Sequence, residues 1–496
     1  MSGAMSARRL LVVAAALSGA AVLADAGNIN DVKEVVLGEA RVTVDPAVVV
    51  GPIKPMHGVN DAEPPGSALG DQKRGSWQAF QTLKIPFIRT HDAASMFECG
   101  GAHMGDVTAM FPDFEADEND PANYDFALTD WVLAHWRTSG AEIFFRLGQT
   151  IEHWPKKYGT RKPADFAKWA RICEHIIRHY NEGWAGGHRW NIRYWEIWNE
   201  PDLDEDDSKN KRCWGGTKAE FFEFYRVAST HLKGCFPDLK IGGPALAFRE
   251  QWGREFIAYC RDVKAPLDFF SWHGYISGRE DLPNRARVFR EALDGAGFTA
   301  AESICDEWNY VTDWSSGFLR SVEQLKGMKG AALVMSTMNA CQSAPVDSLM
   351  YYDTRSDSAF NGVFDSTTRN PLKGYWAFYA WRRLYEYGTQ VKTTLEGDAP
   401  SLSATAARAP DGRLRLVLAR FTGDDNFFHS HKVRVAVKGR RLASGVAKLV
   451  DDGYSYGEVE FPVADGEIEV SLRPNAFVFI DLERAASLGG DAAKGE

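Results

Sequence analysis

The sequence predicts an α/β protein: a (β/α)8 barrel, or TIM barrel, with an accessory C-terminal β-sandwich domain. Through residues 51–388, eight short apolar stretches alternate with stretches that have the apolar spacing of amphipathic helices. This alternation is typical of a parallel barrel. From about residue 389 onward, apolar residues recur at every second position, as they do in antiparallel strands with one buried face.

The predicted barrel strands are near-continuously apolar in several cases, as expected for strands that are buried on both faces. We place them at residues 56–60, 87–92, 142–148, 193–198, 240–244, 268–273, 303–307 and 348–353.

Two of the intervening helices carry clear end signals. Residues 163–180 place their apolar side chains on one stripe, with Pro163 in the first turn. Thr217 and Glu220 form a capping box ahead of the next helix, and Gly234 is expected to end that helix.

The C-terminal part, residues 389–485, is predicted to be the β-sandwich. Alternation at Leu414, Leu416 and Leu418 predicts a strand with one face in water. Short apolar runs in residues 27–50 are expected to join the same sandwich, because chain ends often lie close together. Residues 486–496 are small and polar, and we predict a disordered tail.

The N-terminus has the pattern of a secretory signal peptide over residues 1–26. Arg8 and Arg9 precede an apolar run, and Ala24-Asp25-Ala26 forms the cleavage motif. The protein is therefore expected to be secreted or periplasmic, with no membrane attachment after signal removal. Its net charge of −10 argues against nucleic acid or an anionic membrane as the main partner.

Two strand ends carry carboxylates in similar motifs. Glu200 stands in Trp-Asn-Glu-Pro after the fourth predicted strand, and Glu307 in Glu-Trp-Asn after the seventh. The carboxyl ends of barrel strands share one face, and a pair of carboxylates there is the equipment of glycoside hydrolysis. Glu196 lies within its strand and is expected to be a structural group, while Asp306 is expected to point away from Glu307 by strand alternation.

These motifs resemble glycoside hydrolase family 39, in the large clan of retaining (β/α)8 glycosidases, over most of residues 50–390. The resemblance rests on Trp198-Asn199-Glu200-Pro201, Trp272-His273-Gly274-Tyr275 and Glu307-Trp308-Asn309. It implies a retaining exo-glycosidase with Glu200 as the acid/base and Glu307 as the nucleophile.

We predict six substrate-binding residues: Asn199, His273, Tyr275, His57, His91 and Asp92. The resemblance implies that Asn199 contacts the sugar 2-hydroxyl, that His273 contacts another sugar hydroxyl, and that the Tyr275 hydroxyl holds the nucleophile. His57, His91 and Asp92 lie in or at the ends of the first two predicted strands and are expected on the same face. Ordinary core or loop packing is the alternative for them.

The predicted function is cleavage of terminal sugars from plant-type or other polysaccharide-derived oligosaccharides, in the manner of a β-xylosidase. The family's xylosidases commonly carry a tryptophan on strand eight, where this chain has Met350-Tyr351-Tyr352-Asp353. Arabinosidase, galactosidase and iduronidase activities therefore stay open. An alternative of another class is a non-catalytic carbohydrate-binding barrel.

No cofactor and no metal are predicted from the sequence. His175 and His179 lie one helical turn apart, the spacing of a zinc pair. However, no glutamate follows the first histidine and the sequence shows no third ligand.

Overall fold

A computed structural model of the protein describes residues 36–64, 75–91, 104–153 and 155–482. The predicted signal peptide, the predicted tail and Asp92 lie outside these ranges. Within them, every helix is too short or too polar to cross a lipid bilayer.

The long strand β1 (Val36–Pro52) precedes a closed parallel barrel. Each barrel strand pairs with its neighbour in sequence, and the last pairs with the first. The predicted eight-stranded barrel is confirmed, and each strand overlaps a predicted stretch. In the described part of the chain the barrel strands are β2 (Gly58–Asn60), β3 (Phe87–Arg89), β4 (Glu142–Leu147), β5 (Tyr194–Ile197), β6 (Lys240–Leu246), β7 (Phe269–Ile276), β8 (Glu302–Tyr310) and β9 (Ser348–Tyr351).

Helices lie between the barrel strands and after the last of them. Those described are α1 (Trp77–Thr82), α2 (Val107–Met110), α3 (Ala127–Arg137), α4 (Phe166–Asn181), α5 (Lys218–Cys235), α6 (Glu250–Val263), α7 (Asp281–Gly295), α8 (Phe318–Lys326), α9 (Met328–Gln342) and α10 (Lys373–Tyr385). One-turn 3-10 helices occur at Pro121–Asn123 and Trp184–Gly186.

The ends of α4 and α5 differ in part from the prediction. Helix α4 begins after Asp165, whose carboxylate accepts hydrogen bonds from two backbone N–H groups of the first turn, so Pro163 lies before the helix. The capping box of Thr217 and Glu220 is present. Helix α5 runs past Gly234 and ends at Cys235, because the next residue, Phe236, precedes a proline and is disfavoured in helical conformation.

The remaining strands form the predicted accessory β domain, as one continuous curled sheet of ten strands in the described chain. Besides β1, its members are β10 (Thr389–Gly397), β11 (Leu402–Arg408), β12 (Leu414–Arg420), β13 (Ser430–Val437), β14 (Val446–Val450), β15 (Ser455–Glu460), β16 (Val463–Ala464), β17 (Glu467–Leu472) and β18 (Ala476–Asp481). Their order is β15-β14-β18-β12-β11-β10-β1-β13-β17-β16. The predicted early strands are one strand, β1, which lies between β10 and β13 and runs past residue 50.

Strand β12 is buried on both faces, so the predicted wet face is wrong for this strand. Leu416 and Leu418 face the core of the curled sheet. Val417 and Ala419 face the other way and belong to the core of the barrel domain. The sheet therefore packs directly on the barrel, where α10 contacts β12.

Candidate active site

The carboxyl ends of β5, β7 and β8 bring four predicted residues together. Glu200 follows β5, His273 and Tyr275 lie in β7, and Glu307 lies in β8. One carboxylate oxygen from each glutamate and a ring nitrogen of His273 all lie within 4.8 Å of one another. These three groups also have the donor atoms of a metal site, and the predicted absence of a metal stays a prediction.

The backbone that carries Glu200 is held in an uncommon conformation. Trp198 and Glu200 have φ angles of 75° and 47°, in the left-handed region that non-glycine residues rarely adopt. The Glu200 N–H donates to the carbonyl of Ala245 at 2.9 Å. Gly148 allows the close approach of this segment, because a Cβ there would lie 2.8 Å from the Trp198 Cα. Strain of this kind persists where surrounding contacts fix it, and it clusters at functional sites.

The Glu200 carboxylate meets few partners. His273 Nδ1 lies 2.9 Å from Glu200 Oε1. The Cys213 thiol lies 3.9 Å from the other oxygen, Oε2. About an eighth of the Glu200 side chain, 13%, is exposed, so this carboxylate opens towards solvent.

The Glu307 carboxylate is enclosed by donors. The Tyr275 hydroxyl donates to Oε1 at 2.5 Å, and His91 Nε2 and Arg89 Nη1 lie 2.7 and 3.2 Å from Oε2. Burial alone raises the pKa of this carboxyl. The imidazoles of His273 and His91 and the Arg89 guanidinium outweigh burial and hold the pKa of Glu307 well below its usual range. Glu307 is therefore kept ionised.

Arg89 of β3 connects the Glu307 carboxylate to four other buried polar side chains. Its Nε lies 2.8 Å from Glu196 and 3.0 Å from Asp306. Its other nitrogens donate to the side-chain oxygens of Asn60 and Asn199, at 2.9 and 2.8 Å. Burial lowers the pKa of the guanidinium, but the carboxylates around it raise the pKa further above its usual value. Arg89 was not predicted to be a site residue, although an arginine inside a buried apolar strand is itself a signal.

The prediction for Asp306 is wrong. A register shift in the pairing of β7 with β8 leaves Asp306 as an extra residue between Cys305 and Glu307. The bulge lets both acidic side chains face the barrel interior, in spite of strand alternation. Burial, and then repulsion from Glu196, raise the pKa of Asp306 well above its usual value. The prediction that Glu196 is a structural group inside the barrel agrees with its full burial.

Of the other predicted substrate-binding residues, two lie at the site and one lies at the opposite end of the barrel. Asn199 and His91 join the site through Arg89 and Glu307. His57 does not, because it precedes β2 and so lies at the amino end of the barrel. There its ring packs on Tyr385 at 5.2 Å, and burial lowers its pKa to about 3. Asp92 is outside the described residues.

Aromatic side chains extend from the Glu307 side of the site towards solvent. The Tyr275 ring lies 4.8 Å from the ring of Trp314 and 5.9 Å from that of Phe360. Trp314 is 60% exposed, which leaves a flat indole face open next to the tyrosine that holds Glu307. Such a face suits the apolar side of a sugar ring.

Comparison with known sequences gives partial matches. The model of the family "Glycosyl hydrolases family 39" matches residues 68–291, a stretch that includes Glu200 and ends before Glu307. A beta-xylosidase of Caldicellulosiruptor saccharolyticus is 30% identical over 311 residues, 59% of this chain and 60% of that protein. A beta-xylosidase of Geobacillus stearothermophilus is 26% identical over 192 residues, 36% of each chain. The matched part therefore spans less than two thirds of either relative.

Solved structures match over most of the chain. A glucosidase from Croceicoccus marinus has a TM-score of 0.71 at 21% identity, over 90% of this chain and 99% of that one. A monomeric beta-xylosidase from Caulobacter crescentus has a TM-score of 0.64 at 17% identity, with the same coverage. At these identities, the likeness shows the shared architecture of barrel and β domain.

Proposed function

The chain belongs to glycoside hydrolase family 39, and on this basis we propose that it is a retaining exo-glycosidase acting on oligosaccharides or other glycosides. The observation that carries the proposal is the pair of strand-end carboxylates, with one oxygen of each within 4.8 Å of the other. Retaining enzymes hold their two carboxyl groups about 5–5.5 Å apart, whereas inverting enzymes need about 6.5–9.5 Å to admit a water molecule.

In the first step Glu307 attacks the anomeric carbon while Glu200 gives its proton to the leaving oxygen. The bond from the anomeric carbon to the leaving oxygen breaks, and an ester bond to Glu307 forms. The depressed pKa of Glu307 favours this role, because the attacking carboxylate must be ionised. The Tyr275 hydroxyl holds one oxygen of the Glu307 carboxylate, Oε1, in place through its 2.5 Å hydrogen bond.

In the second step Glu200 takes a proton from water, and the water oxygen attacks the anomeric carbon. The ester to Glu307 breaks, and the sugar leaves with its original configuration. After the first step Glu200 has given its proton to the leaving group and is a carboxylate, which can accept a proton from water. The same carboxyl group can thus serve as acid and then as base.

Asn199 is suited to bind the sugar 2-hydroxyl beside the nucleophile. Its Oδ1 is occupied by Arg89 Nη2 at 2.8 Å, which orients the amide so that its NH2 group is left to donate to substrate. A contact to the 2-hydroxyl strengthens as the transition state forms.

We propose a β-xyloside as the preferred substrate, supported by the two sequence relatives that are named beta-xylosidases. The test is a panel of aryl glycosides: β-xyloside, α-L-arabinofuranoside, β-glucoside, β-galactoside and α-L-iduronide. Proton NMR of the first-formed sugar should show the anomeric configuration of the substrate. An inverted product would contradict double displacement, and faster release from another member of the panel would reassign the sugar.

Two parts of the proposal have separate tests. A non-catalytic carbohydrate-binding barrel would release none of the aryl groups while still binding sugar, which distinguishes it from an enzyme of another specificity. Export is supported by the signal pattern in residues 1–26. Mass spectrometry of the exported protein should find Gly27 at the mature N-terminus, and a retained Arg8-Arg9 segment would contradict cleavage there.

A further inference from the structure

We propose that Asp130, His179 and His188 form a binding site for a divalent transition-metal cation, with Zn²⁺ as the best match. Asp130 lies in the first turn of α3, His179 near the end of α4, and His188 in the loop before β5. This loop is at the amino end of β5, whereas Glu200 follows the carboxyl end. The site is therefore separate from the catalytic pair.

The spacing of the donor atoms fits a cation. His179 Nε2 lies 3.1 Å from Asp130 Oδ1, and His188 Nε2 lies 3.4 Å from Oδ2. One donor atom from each of the three residues lies within 4.8 Å of the other two. Two ligands about 2.0–2.1 Å from a tetrahedral zinc ion are roughly 3.4 Å apart. Small adjustments would therefore place a cation among all three side chains.

The hydrogen bonding of His179 prepares its Nε2 atom as a ligand. His179 Nδ1 lies 2.9 Å from the carbonyl oxygen of Trp184, which can only accept, so Nδ1 carries the proton. In that tautomer the Nε2 lone pair faces the Asp130 carboxylate at 3.1 Å, and a cation bound between the two would be held by both. Metal-binding histidines commonly donate their other ring N–H to a carbonyl in this way.

His188 supplies the third donor atom. Its Nε2 atom is buried and makes no hydrogen bond to the described residues, although the Asp130 carboxylate is at ion-pair distance. The contact between His179 and Asp130 therefore leaves the second imidazole nitrogen without a hydrogen bond. A cation would bind both imidazoles and the carboxylate at once.

Both imidazoles are fixed by flat aromatic neighbours. The His179 ring stacks on Phe126 with centroids 3.6 Å apart, and the His188 ring stacks on Trp190 at 3.9 Å. Gly187 lets the loop close on α4, because a Cβ there would lie 2.5 Å from His179 Nδ1. Side chains locked by packing form a preorganised site.

A second cluster of possible ligands, Glu174, His231 and Cys235, lies on α4 and α5 and is partly buried. It is the weaker candidate, because Arg178 already pairs with Glu174 at 2.8 Å and brings a positive charge beside it. Cys235→Ala therefore serves as a test of the rival cluster.

The experiment is zinc titration of the full chain after chelator treatment and dialysis, followed by calorimetry and metal analysis. We expect one Zn²⁺ per wild-type chain. His188→Ala and Asp130→Asn should each weaken zinc binding by at least about tenfold. Mutation of a residue that only supports a metal ligand already lowers metal affinity by about tenfold or more, and these two residues are themselves ligands. His175→Ala is the matched control, since His175 lies one turn before His179 on the same helix and is not part of the cluster of Asp130, His179 and His188. This control should bind as tightly as wild type.

Three outcomes would overturn the proposal. They are an absence of stoichiometric binding by wild type, unchanged binding by both site variants, and loss of binding in Cys235→Ala alone. Circular dichroism separates lost binding from lost folding. If a variant fails to fold, an anomalous difference map from a zinc-soaked wild-type crystal decides. A peak between Asp130 and the two histidines supports the site, and a peak only elsewhere, including at Glu200 and Glu307, refutes it.

Discussion

The carboxyl ends of β5 and β8 carry motifs of the same shape, but they place their glutamates in different surroundings. Glu307 meets Arg89, His91 and Tyr275 and is 5% exposed. Glu200 meets His273, lies in a strained turn and is 13% exposed. The β8 end therefore stabilises a fixed negative charge, while the β5 end leaves its carboxyl group open towards solvent. This difference in partners, more than the motifs, supports the two proposed roles.

Removal of Glu307 should give the largest effect. Glu307→Ala removes the attacking atom, so we expect kcat to fall by at least about 10⁴-fold for substrates with good and poor leaving groups alike. Glu302→Ala is the matched control, because Glu302 begins the same strand and its side chain is 28% exposed beside Lys240. A Glu307→Ala enzyme that keeps activity on activated aryl glycosides would reverse the comparison.

Removal of Glu200 should have an effect that depends on the leaving group. Glu200→Ala loses proton donation, worth about 10²- to 10⁴-fold on a natural glycoside, and much less on an aryl glycoside with an acidic leaving group. Added azide should speed turnover and give an azide adduct of retained configuration, because a small anion needs no general base. A retained adduct from Glu307→Ala and an inverted one from Glu200→Ala would exchange the two roles.

The β5 end was more predictable from sequence than the β8 end. Glu200 stands between an amide and a proline that must end the strand, so its place follows from local chemistry. Asp306 could not be placed, because strand alternation assumes regular pairing and the bulge arises from the fit of β8 against β7. Arg89 was missed for a related reason, since its partners come from separate strands that only the closed barrel brings together.

Tertiary packing also explains the remaining differences. His57 has the same residue type and strand neighbourhood as His91, but strand direction places it at the amino end of the barrel, where burial lowers its pKa to about 3. Strand β12 shows period-two apolar spacing, and the residues between are also buried, since the barrel domain covers its second face.

Loss of the Tyr275 hydroxyl should impair attack by Glu307 and leave proton transfer by Glu200 unaffected. Tyr275→Phe removes a hydrogen bond to a carboxylate, and such bonds contribute about 1.5–3 kcal/mol. We expect kcat/KM to fall by roughly 10- to 100-fold with the ring packing retained. The loss should be similar for good and poor leaving groups, which steady-state kinetics on both can check. A loss confined to poor leaving groups would tie Tyr275 to Glu200 instead.

The pH dependence of kcat/KM should report the ionisation of Glu307. Since Glu307 must be ionised and its pKa is held well below the usual glutamate value of 4.5, the acid limb of kcat/KM should lie below that pH. His91→Gln removes one of the groups that lower this pKa, so the pKa rises and the acid limb moves to higher pH. His175→Gln should leave the limb in place. An acid limb unmoved by His91→Gln would show that His91 does not hold the charge of Glu307.

The smallest effect is expected at Trp314, which tests how far the Glu307 side extends towards solvent. Its ring packs against Tyr275, Phe318 and Phe360, but more than half of the residue is exposed, so it can stack on a sugar without touching the reacting atoms. Trp314→Ala should raise KM by about two- to tenfold, the worth of an aromatic contact of about 0.5–1.5 kcal/mol, and leave kcat nearly unchanged. Phe428→Ala, which removes an exposed aromatic of the curled-sheet domain, should change neither constant. If Trp314→Ala lowered kcat and left KM unchanged, the indole would be acting through Tyr275 on the Glu307 carboxylate. The proposal that Trp314 binds the sugar would then be wrong.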